Sequence, residues 1–201
     1  MTIIKSLPLF LAVLPFTLIA AQTAIVDYTF ESESEKPTTG ESISSIVPIG
    51  AQIGGYNSWA TGLEEESNYI YFNAASGEGR AIKITLDATG YKDLVLGDFF
   101  QMSANNALAA INWQLAYSLD GGLTFIQIGE DFPILLKGGG NSENSRITVG
   151  KGFALGAEAD NNSSIVFRLS SVPGSLNFQE DLALGGQVKF DNFTVHGVAI
   201  P

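Results

Sequence analysis

No cysteine occurs in this chain of 201 residues, and its only histidine is His196. The first absence excludes thiol catalysis, cysteine-ligated zinc and iron–sulfur clusters. The second excludes histidine-rich metal sites and hydrolases of the HExxH type. A Ser-His-Asp triad would have to use His196, which alternates with apolar Val195 and Val198 and reads as a histidine on a strand surface. Basic residues are also scarce: 10 Lys and Arg stand against 21 Asp and Glu, for a net charge of −11. Nucleic acid and anionic membrane surfaces need a dense positive patch, so that balance argues against both. It suits an extracellular protein, a neutral partner or divalent cations. Heptads and sustained 3.6-residue periodicity are missing as well, which removes coiled coils and helical bundles.

The longest apolar run lies at the start. Met1 to Ala21 carries one charge, Lys5, then Leu, Phe, Ala, Val and Ile, with small residues at Ala20 and Ala21 where a signal peptidase could cut. Pro8 and Pro15 interrupt the run, which is short for a bilayer span of about 20 apolar residues. The alternative is a buried first helix. Residues 1–21 are read as a signal peptide, residues 22–201 as one domain. The mature chain is expected to be secreted or held at the cell surface, with no stable membrane span and no nucleic-acid partner. Its length supports a core without disulfides.

Short β-branched and aromatic runs between turn signals then recur, the all-β pattern. Strands are expected at Ala24–Glu31, Asn68–Asn73, Ala81–Leu86, Leu94–Met102, Ile111–Ser118, Thr124–Ile128, Ser145–Val149, Ser164–Ser171 and Gln187–Val198. So many short strands in about 180 residues imply a two-sheet antiparallel β-sandwich of jelly-roll type. Two stretches read as long loops. Glu31–Ser67 contains Pro37, Pro48, Gly54-Gly55 and the acidic run Glu64-Glu65-Glu66; Phe132–Asn144 contains Gly138-Gly139-Gly140.

Two segments carry more detail. In Ser118-Leu119-Asp120-Gly121-Gly122-Leu123-Thr124-Phe125, the Asp-Gly-Gly turn supplies the positive-φ residues of a tight hairpin. Ser118 and Asp120 can bond backbone groups inside the turn. The segment resembles the Asp-box hairpin of sialidases, a structural motif repeated around a propeller. Here it occurs once, and Arg80, Arg146 and Arg168 are the only arginines, with nothing to gather them. It is read as a fold-stabilising hairpin. The second feature is the likeness of the two ends. Val26-Asp27-Tyr28-Thr29-Phe30-Glu31 and Val188-Lys189-Phe190-Asp191-Asn192-Phe193-Thr194-Val195 both alternate apolar with polar residues, and in a jelly roll the first and last strands commonly lie side by side.

In order, the chain presents Tyr28-Thr29-Phe30-Glu31, a glycine-rich stretch before Trp59, Tyr69-Ile70-Tyr71-Phe72, Gly90-Tyr91, Tyr117-Ser118-Leu119-Asp120-Gly121-Gly122, Ile165-Val166-Phe167-Arg168-Leu169 and Phe190-Asp191-Asn192-Phe193-Thr194-Val195. That series resembles a family of exported bacterial β-sandwich proteins that often carry a C-terminal PEP-CTERM sorting signal. The end strands are also similar to those of jelly-roll carbohydrate-binding modules, which hold a structural calcium where first and last strands meet. By that resemblance Glu31 and Asp191, with Asp27, are the expected Ca²⁺ ligands. Calcium takes six to eight oxygens from carboxylates and carbonyls.

Sugar recognition uses flat aromatic faces beside amide and carboxylate groups. Tyr56, Asn57 and Trp59 in the long first loop are the candidate platform, while Trp113, alternating with Ile111 and Leu115, is read as core. The expected function is a non-catalytic glycan-binding or extracellular-matrix module whose partner is an extracellular polysaccharide. The alternatives are a purely structural cell-surface or biofilm protein and, third, a glycoside hydrolase. A carboxylate pair suffices for the last, but no motif marks any of the acids as catalytic.

Overall fold

A computed structural model describes residues 21–30, 32–38, 40, 44–49, 52–58, 68–73, 81–97, 101–104, 112–133, 147–172 and 187–201. Residues 1–20 of the expected signal peptide, Glu31, Trp59, the acidic run at 64–66 and the glycine run at 138–140 lie outside them.

Thirteen strands and a single 3-10 turn at Ala157–Ala159 make up the described elements. One sheet has the order β2 (Ser44–Ile49), β5 (Ala81–Leu86), β11 (Ile165–Ser171), β8 (Asn112–Ser118), β9 (Ile126–Pro133). A second has the order β10 (Ile147–Thr148), β7 (Gln101–Ala104), β12 (Gln187–Asp191), β4 (Asn68–Asn73), β3 (Gln52–Ser58), and a third β1 (Thr23–Tyr28), β13 (Phe193–Ala199), β6 (Tyr91–Leu96). Every pairing is antiparallel.

The second and third sheets are halves of one layer. β12 and β13 are consecutive, broken only at Asn192, whose φ of 53° is left-handed. Asp191 stands opposite Gln101 in one half and Val195 opposite Leu96 in the other, so the same two runs of chain pair across both halves with the register offset by one residue at the break. The Gly97 N–H bridges the gap by donating to the Thr194 carbonyl at 2.7 Å. Facing the five-stranded β2–β9 sheet, this layer completes an antiparallel β-sandwich of jelly-roll type.

Alternation builds the core. Ile82, Ile84, Leu86, Ile165, Phe167, Leu169, Trp113 and Leu115 point inward from one layer; Val26, Tyr28, Ile70, Leu94, Leu96, Phe193 and Val195 meet them from the other, all buried. Phe167 and Phe193 meet edge to face at 5.1 Å between centroids, a favoured aromatic geometry. The Tyr28 hydroxyl donates to Ser44 Oγ at 3.0 Å, joining β1 to β2, and burial raises its pKa.

Strands β4 and β5 coincide with expectation, and β1 lies beside β13 as the likeness of the two ends implied. β9 runs over Ile126–Pro133, past its expected end at Ile128 and into the expected loop Phe132–Asn144, and β10 covers only Ile147–Thr148. Three larger expectations also need correction. The long loop Glu31–Ser67 contains two strands, β2 and β3. Both lie at sheet edges, where proline and glycine are tolerated. The strand expected over Leu94–Met102 falls on two, β6 ending at Leu96 and β7 beginning at Gln101, which pair in different sheets. The run Gln187–Val198 is likewise two strands, because the left-handed turn at Asn192 resets the side-chain alternation.

Candidate functional site

Two of the expected calcium ligands, Asp27 and Asp191, sit on β1 and β12. Asp27 lies opposite Thr194, whose Oγ1 donates to Asp27 Oδ1 at 2.6 Å. Asp191 is fully buried at the end of β12. The chain leaves β1 at Tyr28, opposite Phe193 and two residues from Asp191. Among the described residues no three acidic or histidine side chains gather as a metal site, and Glu31 is outside them. Asp27 and Asp191 alone fall short of the six to eight oxygens calcium takes.

Of the candidate sugar platform, Tyr56 and Asn57 fall on β3 rather than on a loop, and Trp59 lies outside the described residues. Tyr56 stands opposite Ile70 and Asn57 opposite Tyr69. Ile70 is fully buried, so position 56 belongs to the inward row and position 57 to the outward row. The outward row also holds Gly55, opposite Tyr71, and Lys189, which is opposite both Tyr71 and Ser103. Tyr71 is half-buried. Gly55, at a register shift and with φ of 138°, makes room for it: a Cβ there would lie 3.2 Å from Tyr71 Oη and 3.5 Å from Cε1. The Tyr71 ring therefore rests on bare β3 backbone. Residue alternation in Tyr69-Ile70-Tyr71-Phe72 was the available signal for Tyr71, since it sets both tyrosines apart from Ile70.

The Ser118–Phe125 hairpin is built as expected. Ser118 Oγ donates to Asp120 Oδ1 at 2.6 Å and accepts from Gly122 N at 2.8 Å. Asp120 Oδ1 also accepts from Leu123 N and Thr124 N, and Oδ2 from Thr124 N and from Thr124 Oγ1 at 2.6 Å. The bonds from Ser118, then Thr124, hold the Asp120 carboxyl well below the usual carboxylate range. Thr124 thus belongs to the turn, and β9 starts at Ile126, later than expected. Trp113 is fully buried. His196 is half-buried on β13 between Ala24 and Val95, a strand histidine with no acid–base partner among the described residues.

An open cleft of about 320 Å³ lies between β9 and the 149–153 turn. Ile128, Phe132, Val149 and Phe153 line it, with exposed Glu130 and Lys151 beside them. None of the residues singled out from the sequence reaches it.

No protein-family model matches the chain, and no curated protein matches its sequence. Solved structures do match. The CBM22-1 xylan-binding domain from Paenibacillus barcinonensis Xyn10C has a TM-score of 0.50 and 12% identity, covering 90% of this chain and 99% of that one. The CBM22-1–CBM22-2 tandem domain of the same protein gives 0.50 and 12%, covering 92% of this chain and 47% of that one. At such identity the likeness speaks to architecture: this chain has the jelly-roll β-sandwich fold seen in those carbohydrate-binding modules.

Proposed function

We propose that the protein is a non-catalytic glycan-binding module that takes a neutral polysaccharide across the outward face of β3, β4 and β12. The observation carrying this reading is the seating of Tyr71 on Gly55, an aromatic ring placed beside the amide position Asn57 and the Lys189 position. Rings supply sugar-stacking area at low entropic cost, and amides supply directed hydrogen bonds. The likeness to a xylan-binding domain makes β-1,4-linked xylan the first polysaccharide to try.

In this reading the segment Met1–Ala21 directs export, as in the PEP-CTERM-associated proteins that the sequence resembles, and the domain works outside the cell. Trp59 follows β3 and would extend the platform. Calcium held by Glu31, Asp191 and Asp27 would stabilise the end strands without touching sugar.

The test is affinity electrophoresis through soluble xylan and a panel of neutral glycans, comparing wild type with Tyr71→Ala. Retardation of the wild type, weakened about tenfold by the substitution, supports the site; that factor is the 1.4 kcal/mol scale of an interface aromatic. Equal retardation of both proteins moves the site elsewhere. No retardation by any glycan leaves the structural matrix role as the better reading.

A further inference from the structure

The opposite face of the sandwich carries a cation pair that neutral-glycan binding does not use. Lys83 on β5 stands directly opposite Arg168 on β11. The same cross-strand row continues with Val47 on β2 and Ala116 on β8, neither charged. Directly opposed positions hold their Cβ atoms about 4.5–5.5 Å apart, and like charges there weaken a sheet. This chain nevertheless places two of its 10 basic residues in that relation.

The Asp120 hairpin lays Phe125 over the pair. Arg168 Cζ is 3.8 Å from the ring centroid and Lys83 Nζ 5.7 Å. Gly122 completes the floor: a Cβ there would lie 3.6 Å from Phe125 Cζ and 3.7 Å from Lys83 Nζ. Lys83, Arg168 and Phe125 are all half-buried, so their outer edges still meet solvent.

Among the described residues neither cation has an ion-pair partner. The hairpin's own carboxylate, Asp120, is occupied by Ser118, Leu123 and Thr124. Arg168 Nε is buried without an acceptor, and desolvation lowers the guanidinium pKa. A structural stack on Phe125 explains Arg168 alone. It does not explain a second cation set against it where a neutral residue would serve the sheet better.

We propose that Lys83 and Arg168 form a subsite for the carboxylate of an acidic sugar, a uronate residue in a glycan. The planar guanidinium, held on its aromatic support, offers a fork that matches a carboxylate, while the lysine adds a point charge. The sugar class rests on the glycan-binding reading above; the site itself is separate, on the other sheet. The protein's overall negative charge is screened beyond about 8 Å at physiological salt, so the local pair decides whether a single carboxylate is held.

The experiment is calorimetric titration of the purified chain with galacturonate oligomers, neutral xylan oligomers of matched length, and polyglutamate. Wild type is compared with Lys83→Gln, Arg168→Gln, Arg168→Lys and Tyr71→Ala, each checked for folding by thermal melt. The galacturonate oligomer is expected to bind, with at least about a tenfold loss in Lys83→Gln and Arg168→Gln, the size of a lost charge-assisted contact. Arg168→Lys should recover only part of it, because charge remains while the fork is gone. Neutral-oligomer binding should not change in these variants. Lys83→Gln leaves the Arg168 stack in place, so it decides the matter if Arg168→Gln fails to fold. Equal affinity of the wild type for acidic and neutral oligomers, or wild-type galacturonate binding by Lys83→Gln, overturns the subsite. Polyglutamate binding as tight as galacturonate overturns the sugar class in favour of acidic peptides. Tyr71→Ala that loses the neutral oligomer but keeps galacturonate supports two separate sites. Neutral binding that survives Tyr71→Ala overturns the β3–β4 platform alone.

Discussion

Phe193→Ala should be the most informative single core substitution. Phe193 is fully buried on β13 and lies between the layers, edge to face with Phe167 at 5.1 Å and tilted against Tyr28 at 6.3 Å. Truncating a buried phenylalanine costs about 3–5 kcal/mol, the transfer term plus the cavity left behind. Strands on both sides fix the surrounding backbone, so collapse into the space is restricted and the upper half of that range is expected. For a domain of 150–250 residues each kcal/mol is worth about 2–4 °C of melting temperature, so a loss of about 4–5 kcal/mol gives a fall of about 8–20 °C. Against a typical total stability of about 5–15 kcal/mol the loss is large. Denaturant melts followed by the buried Trp113 supply the assay. Leu123→Ala is the control, since Leu123 is 85% exposed and its loss should stay within about 0.5 kcal/mol. A double-mutant cycle with Phe167→Leu and Phe193→Leu should return a coupling of about 0.5–1.5 kcal/mol. Should Phe193→Ala melt no lower than Leu123→Ala, the two layers are not packed through this contact and the core described above is wrong.

Two further outcomes concern pH and metal. Asp120 has a folded-state pKa held below its ordinary value, so its stabilisation is complete above the unfolded pKa of about 3.9 and is lost as pH falls through the lower folded value. The gap in melting temperature between wild type and Asp120→Asn should therefore be widest near neutrality and narrow below about pH 4; a constant gap from pH 7 to pH 2 would show that the hairpin bonds do not depend on charge. For calcium, excess chelator should lower the midpoint by several degrees, since a ligand at 100 times its Kd adds about 2.7 kcal/mol, and Asp191→Ala or Glu31→Ala should remove the calcium-dependent increment. A midpoint indifferent to both calcium and chelator would discard the metal.

Fold class and the Asp120 hairpin could be read from the sequence because each rests on local chemistry, and the end-strand pairing because the two ends share one alternating pattern and a jelly roll commonly sets its first and last strands side by side. Period-two alternation marks a half-buried strand wherever it pairs, as at Asn68–Asn73 and Ala81–Leu86. The Ser118–Thr124 bonds close within seven residues, so no distant partner is needed to foresee them. Trp113 declared itself through its apolar neighbours in the same way. The missed strands, Ser44–Ile49 and Gln52–Ser58, carry Pro48 and Gly54-Gly55, poor strand formers held in extended form by β5 and β4. Pairing energy from a neighbour far along the chain is invisible to local propensity. The same holds for both proposed binding surfaces. Tyr71 meets Gly55 and Lys83 meets Arg168 only through register between strands separated in sequence. Residue types and alternation thus determined that this chain makes a sandwich with a buried aromatic centre. Long-range strand register alone decided which side chains share an outer face, because side chains alternate every residue and a slip of one position would exchange the two faces.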